Sequence, residues 1–288
     1  MSLEALTAGI ERHAQTRGVS TAVPGLVLAR EDREVQDIDL AYRPMLCFVA
    51  QGAKRTVAGR RATRVARGEV FLSLLDVPVV ATYEVPFRSA TLDIDDEKLA
   101  QVISQRHTVS PVPVQRPTEG FAVAAMDQGL VGAVDRWVGL LDEPHHRDVL
   151  APLLEYEILH RALSSPLGPA LRAAVSTGPV RAIREAAAEL RDHYARTIPI
   201  HELARAAGMS PATFYRHFRA VTGLSPNQLQ RITRLQNSRR LLAAGKPVTT
   251  TAQAVGYASA SQFSRDYRLQ YGRSPAADAR IMRADPPD

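Results

Sequence analysis

Two textures divide the chain. Between residues 20 and 95 the apolar positions fall in short runs: "GLVLAR", "MLCFVAQG", "KRTVAG", "EVFLSLL", "PVVATYEV" and "RSATLDI", with Gly, Pro or charge between them. Short alternating or continuous apolar runs bounded by such residues predict strands. Six or more of them at roughly ten-residue spacing predict an antiparallel sandwich or a small barrel. The stretch "TVSPVPVQRPTEG" breaks the pattern, and the period then lengthens. In "DQGLVGAVDRWVGLLDE" the residues Leu130, Val134, Trp137, Val138 and Leu141 share one helical stripe, and "RDVLAPLLEYEILHRALSS" continues as helix. "SSPLGPALRAAVSTGP" reads as a linker or a short docking helix, and from residue 179 Val180, Ile183, Ala187, Leu190 and Tyr194 recur at helical spacing.

Beyond "TIPI" the helices become short and punctuated. "HELARAAG" stops at Gly208, which suits the left-handed exit of a helix. Ser210 is a helix N-cap and Pro211 stands at the first helical position, where its missing N–H costs nothing. Phe214, Phe218 and Val221 then share one face. A short helix, a tight glycine turn and a second helix make a helix-turn-helix. The plan recurs 49 positions on: Phe214 falls on Phe263, Arg216 on Arg265, Phe218 on Tyr267, Arg219 on Arg268, Gly223 on Gly272, and Ser225-Pro226 on Ser274-Pro275. In the second copy "TTTAQAVG" is the supporting helix, Ser259 the N-cap, and the turn is one residue longer. Thr251 stands where the first copy has Leu203, so the second unit is expected to be the less stable. Between the copies "SPNQLQRITRLQNSRRLLAAG" carries Leu229, Ile232, Leu235, Leu241 and Leu242 at helical spacing. A helix of about 20 residues is a rod of about 30 Å, close to the ~34 Å between successive major-groove windows on one face of B-DNA.

Charge supports that reading. The chain holds 36 Lys+Arg and 30 Asp+Glu; residues 181–288 contain 17 and 8 of them, net +9, which leaves 19 and 22, net −3, for residues 1–180. A basic half beside a mildly acidic one suggests two tasks, the basic one towards nucleic acid. At 45% hydrophobic the composition is that of a soluble globular chain, long enough for two domains. No apolar run approaches a membrane span, and the start "MSLEALTAGIERHAQTRG" does not read as a secretion signal. One cysteine, Cys47, leaves no internal disulfide and fits a cytoplasmic protein, nucleoid-associated when bound to DNA.

With Phe214 and Phe218 buried, Ala212, Thr213, Tyr215, Arg216 and Arg219 are left facing outward. Their counterparts are Ala260, Ser261, Gln262, Ser264, Arg265 and Arg268. These side chains carry the chemistry that reads base edges: Arg on guanine, Gln on adenine, Ser and Thr on either, small apolar groups on the thymine methyl. The later arginines, Arg219 and Arg268, are placed for phosphates.

Residues 181–280 resemble the DNA-binding domain of the AraC/XylS transcription regulators. The motifs are "ELARAAGMSPATFYRHFRAVTGLSP" and "TAQAVGYASASQFSRDYRLQYGRSP", joined by "RLQNSRRLL". The resemblance implies binding to double-stranded promoter DNA, with base contacts at Ala212, Thr213, Tyr215, Arg216, Ala260, Ser261, Gln262, Ser264 and Arg265. Thr251, with Thr249 and Thr250, departs from the family's apolar residue before the alanine. Residues 20–165 are similar to the cupin-like N-terminal domain of one AraC subgroup through "YRPMLCFVAQGAKRTVAGR", "ARGEVFLSLLDVPV" and "LLEYEILHRAL". That similarity implies a β-barrel with a signal pocket and flanking helices that dimerise.

The expected architecture is therefore α+β in two domains. A cupin-like sensor and dimerisation domain spans 1–165, with a linker over 166–180. An all-α DNA-binding domain of two helix-turn-helix units, about 200–221 and 248–271, spans 181–288. The expected function is a ligand-responsive transcription regulator acting as a homodimer, with a small-molecule effector and with RNA polymerase as a candidate partner. Two other readings compete: an enzyme localised by its basic domain, and a constitutive DNA binder whose barrel only dimerises. No catalytic cluster supports an enzyme, and no cofactor is expected. No histidine lies between His13 and His107, so the His-x-His of a metal cupin is missing and no metal is expected. Cys47 reads as a small buried hydrophobe, with a redox- or electrophile-sensing thiol as the alternative, and His145-His146 as solvated loop. The effector is expected against Leu46, Phe48, Phe71 and Leu74 or, in the other register, Cys47, Val49 and Leu72. Either set is mostly apolar and predicts an uncharged or weakly polar ligand. The arginines at 55, 60, 61, 64 and 67 are expected outside or at the rim.

Overall fold

The computed structural model describes residues 2–14, 18–59, 61–105, 120–176 and 178–284. The "TVSPVPVQRPTEG" segment, apart from its last residue, lies outside them, as do His107 and Arg60. Two compact units emerge: residues 1–184 with 220–223, and residues 185–219 with 224–288.

The first unit opens with α1 (Leu3–His13), capped by the Ser2 side chain. Seven strands follow: β1 (Val19–Ser20), β2 (Leu26–Glu31), β3 (Val35–Tyr42), β4 (Met45–Ala58), β5 (Arg61–Ala66), β6 (Glu69–Ser73) and β7 (Val77–Asp93). After α2 (Asp96–Ser104) comes β8 (Phe121–Ala125), then α3 (Gln128–Gly139), α4 (Arg147–Ser164) and α5 (Gly168–Val175). The sheet is antiparallel, in the order β1-β2-β7-β4-β6-β8, with β3 on β7 and β5 on β4. Two long strands organise it. Along one edge of β7 lie first β3 and then β2, and along one edge of β4 lie first β6 and then β5. Among the described residues the end strands do not pair with one another. The expected cupin-like barrel is thus a bent antiparallel sheet that does not close among the described residues.

The bend sits at Gln51–Gly52, where the pairing of β4 with β7 shifts twice. Gly52 has φ +72°, and a Cβ there would stand 2.4 Å from the carbonyl oxygens of both Glu84 and Pro86. Only glycine fits. Such a register shift also changes which residues of a strand face a given side. Before the bend Cys47 and Val49 lie opposite Thr91 and Ser89; after it Lys54 and Thr56 lie opposite Tyr83 and Ala81. On β7 the inner face stays with odd-numbered residues, while on β4 it passes from odd to even.

The outer face is covered by helices. Leu46, Phe48, Val70, Leu72, Ala90 and Leu92 of the sheet share one buried cluster with residues of α1 to α5, among them Leu6, Ile10, Val102, Trp137, Ile158 and Leu171. The stripe expected on α3 is core: Val134 and Trp137 have no exposed surface. Residues 166–180, expected as a linker, contain α5, whose Leu171 and Ala174 belong to the same cluster. The alternation Leu167, Ala170, Leu171, Ala174 gives that helix an apolar face that a free linker would leave in water.

The second unit is all helix. It begins within α6 (Pro179–Asp192) and continues through α7 (Ile200–Ala206), α8 (Pro211–Thr222), α9 (Pro226–Ala243), α10 (Val248–Ala254), α11 (Ala260–Tyr271) and α12 (Pro275–Ala284). α9 opens with a capping box between Ser225 and Gln228 and spans 18 residues, a rod of about 27 Å.

Candidate functional site

The two helix-turn-helix motifs are α7–α8 and α10–α11. Both supporting helices end the same way. Gly208 and Gly256 take φ +66° and +85°, and the next residue's N–H reaches back five positions, Met209 to Ala204 and Tyr257 to Ala252, each at 2.9 Å. This is the hydrogen bonding of a Schellman helix end. Gly256 is needed twice over, since a Cβ there would meet the Ala195 carbonyl at 2.0 Å. Ser210 Oγ then accepts from Thr213 N, and Ser259 Oγ from Gln262 N, fixing the first turns of α8 and α11.

These turns aim the second helices. Phe214 and Phe218 are fully buried, as are Phe263 and Tyr267. Ala212, Tyr215, Arg216, Arg219, Ser261, Gln262, Arg265 and Arg268 are exposed, and Thr213, Ala260 and Ser264 half-buried. All eleven positions expected to meet DNA therefore retain solvent-facing surface on α8 and α11. Among the described residues, Arg216, Arg219, Arg265 and Arg268 make no ion pair. Some arginines elsewhere in the unit are engaged: Arg234 donates to the carbonyls of Tyr194 and Arg196, and Arg239 pairs with Asp278 at 3.2 Å.

The inner face of the sheet is the second candidate. Strand register divides the residues expected there. Cys47 pairs with Phe71, and Leu46 with Leu72, so Cys47, Val49 and Phe71 face inward, whereas Leu46, Phe48, Leu72 and Leu74 face the helices. Neither expected set survives whole. Phe71 and Leu74 differ in parity and could not share a face, and period-two reasoning without a pairing cannot align β4 with β6.

Aromatic rings from three strands meet inside. The Tyr42, Phe71 and Phe121 ring centroids lie 5.4 to 6.3 Å apart, and Tyr42 and Thr56 share a hydrogen bond of 2.8 Å between their hydroxyls. Into this group runs a residue that sequence reading passed over. Lys54 is 4% exposed; its Nζ lies 4.9 Å from the Tyr42 ring centre, 5.6 Å from that of Phe71 and 3.8 Å from Cys47 Sγ. Residues seven apart on a straight strand would be about 23 Å apart, so this contact exists only because β4 folds over at Gly52. Burial opposes the ammonium charge, but Cys47 and the hydroxyls of Tyr42 and Tyr83 outweigh it and hold the Lys54 pKa above the ordinary lysine value. The nearby arginines behave as expected: Arg55, Arg64 and Arg67 are exposed and Arg61 half-buried, with Arg64 in a two-pronged pair with Glu84. His145 and His146 are exposed. Among the described residues no group of three His, Cys, Asp or Glu is arranged to hold a metal ion, and no helix is long and apolar enough to cross a membrane.

Matched glycine turns, matched caps and outward basic helices define a protein with a duplicated helix-turn-helix. Comparison with known families gives the rest: residues 22–170 match the AraC-type transcriptional regulator N-terminus and residues 203–280 a helix-turn-helix domain. The chain belongs to the AraC-type transcriptional regulators. It is 33% identical over 87 residues to LumQ of Photobacterium leiognathi, 30% of this chain and 35% of that protein. To the HTH-type transcriptional regulator ExsA of Pseudomonas aeruginosa it is 27% identical over 161 residues, 56% of this chain and 58% of the other. The chain thus spans between about a third and three fifths of the length of these relatives. In fold it is similar to apo ToxT from Vibrio cholerae, with a TM-score of 0.56 at 11% identity, covering 92% of this chain and 99% of ToxT.

Proposed function

We propose that the protein is a sequence-specific regulator of transcription that binds promoter DNA through α8 and α11 and answers to a small molecule held on the inner face of its first unit. The observation that carries the DNA reading is the matched pair of exposed helices whose four arginines lack carboxylate partners among the described residues. Arginines left open on two capped helices suit base edges and phosphates. The bound molecule would act by population shift, favouring one arrangement of the chain and so changing its affinity for the operator. The reading is supported by a ToxT structure with an unsaturated fatty acid bound, which has the same fold at 10% identity, and by the regulators among the relatives. It makes the protein a cytoplasmic binding protein rather than an enzyme.

A homodimer through α4 completes the proposal. Val149 and Leu153 on that helix are 67% and 61% exposed, one helical turn apart. Val134 is core and is no part of such a surface. Leu153→Asp should give a folded monomer by light scattering; a monomeric wild type at micromolar concentration removes the dimer from the proposal.

The test of DNA reading is selection of duplexes from a random pool with the full chain, then titration of the selected site at several salt concentrations. The expected site has two parts about one helical turn, ~34 Å, apart. Log K should fall linearly with log salt, with a slope of about −0.9 per phosphate neutralised. No enriched sequence, or binding indifferent to salt, overturns the proposal.

A further inference from the structure

Lys54 has an environment that the DNA-binding reading does not use. It is among the few buried charged residues of those described. The others have partners: Arg88 pairs with Asp32 and Glu11, Glu155 with Lys98, and Asp278 with Arg239. Lys54 has a thiol, two aromatic rings and the cross-strand Tyr83, and among the described residues no carboxylate pairs with it. A buried ammonium without an anion is costly to maintain. Ring faces offset part of the cost, and a thiol is a weak acceptor. On the inner face the next even-numbered positions of β4 are Thr56 and Ala58.

We propose that Lys54 is the anchor of an effector site, and that the effector is an organic carboxylate with an apolar body: its carboxylate pairs with the Lys54 ammonium, and its body lies against Tyr42, Phe71 and Phe121. The inference rests on the reading that a small molecule occupies the inner face, and it replaces the uncharged ligand that the apolar runs alone predict. A carboxylate brought to Lys54 supplies the missing counter-charge in surroundings that screen it little, so the anion should contribute far more than it would at the surface. The Tyr42–Thr56 hydroxyl pair, adjacent on the same face, offers a second donor.

The experiment uses the full-length protein and matched probes: octanoate against 1-octanol, and 4-phenylbutanoate against 4-phenyl-1-butanol. Binding is measured by calorimetry and by the shift in melting temperature. At least one carboxylate is expected to bind tenfold or more tightly than its alcohol. Lys54→Met should remove that preference. The wild-type comparison of acid with alcohol stands alone should Lys54→Met fail to fold. Equal binding of acid and alcohol, no binding of either carboxylate, or an acid preference that persists in Lys54→Met overturns the anchor. Operator affinity is measured in parallel. If the carboxylate binds at Lys54 and operator affinity does not change, the anchor stands and the effector reading falls. If the alcohols bind and change operator affinity, the effector reading stands and the anchor falls.

Discussion

Phe218 of the first helix-turn-helix and Tyr267 of the second occupy matching places, separated chemically by one hydroxyl group. The duplication sets a second pair beside them: Leu229 matches Asp278 in the 49-residue register, and all four are buried. In the first motif both partners are apolar. In the second the Tyr267 hydroxyl donates to Asp278 Oδ2 at 2.6 Å, and Arg239 of α9 donates to the same oxygen at 3.2 Å. Burial, followed by the hydrogen bond to Asp278, pushes the Tyr267 hydroxyl pKa well above its ordinary value. Tyr257 adds a further tie, its hydroxyl donating to Asp266 at 3.1 Å. One backbone plan has been filled in two ways. The apolar filling depends on shape, the polar one on every member being present.

The largest expected effect tests the apolar side. Phe218→Ala should cost about 3–5 kcal/mol, read from urea unfolding by far-ultraviolet circular dichroism; a loss under ~1 kcal/mol would mean that ring does not hold α8. Asp278→Ala strips Tyr267 and Arg239 of their shared acceptor and should cost about 3 kcal/mol. Replacing the pair in the image of the first motif, Tyr267→Phe with Asp278→Leu, should recover a large part of that loss. If the double change is as damaging as the single one, the second motif is not an apolar plan with polar filling. Smaller effects concern DNA. Arg216→Ala and Arg265→Ala should each relax base preference at a different part of the site, by roughly 1–3 kcal/mol. Arg219→Ala and Arg268→Ala should weaken all sequences alike. Uniform weakening by the first two would assign them to phosphate. The smallest effect is a gain. Thr251, where the first motif has Leu203, is buried with its Oγ1 lacking a hydrogen-bond partner among the described residues. Thr251→Val should therefore stabilise the second motif by about 1 kcal/mol; unchanged or lower stability shows that the hydroxyl is satisfied in solution.

The helical half was legible because one period settles both the element and its face. Phe214 with Phe218, and Phe263 with Tyr267, are four apart, so burying either pair leaves the arginines outside. Thr251 was visible as a departure. The acceptor Asp278 was not: in "SPAADAR" an aspartate reads as solvated, and only the fold brings Tyr267 and Arg239 to it. In the sheet the strands were legible and their faces were not. Met45 to Ala50 are all buried, since helices cover one side and the inner face encloses the other, so no polar alternation marks the faces. Closure into a barrel could not be decided from spacing, because it depends on the pairing of distant end strands. Lys54 was hidden by its company. In "GAKRTVAG" it stands beside the exposed Arg55, and a charged pair in a strand reads as surface until the bend is placed.

The bend at Gly52 has a consequence for how such a domain changes over time. On an ordinary strand a one-residue insertion or deletion reverses every side chain beyond it and destroys the core. Here a long strand already carries a change of parity at its midpoint, with the shift absorbed at a glycine. A single-residue insertion or deletion at that point would leave Leu46 and Phe48 against the helices, with Cys47 and Val49 still inward, and exchange only the far half of β4. Arg55 and Val57 would turn inward in place of Lys54 and Thr56. The chemistry of the interior can thus be replaced in one genetic step while the helix-covered core stays in register, a short route by which the inner face of such a sheet could acquire different side chains.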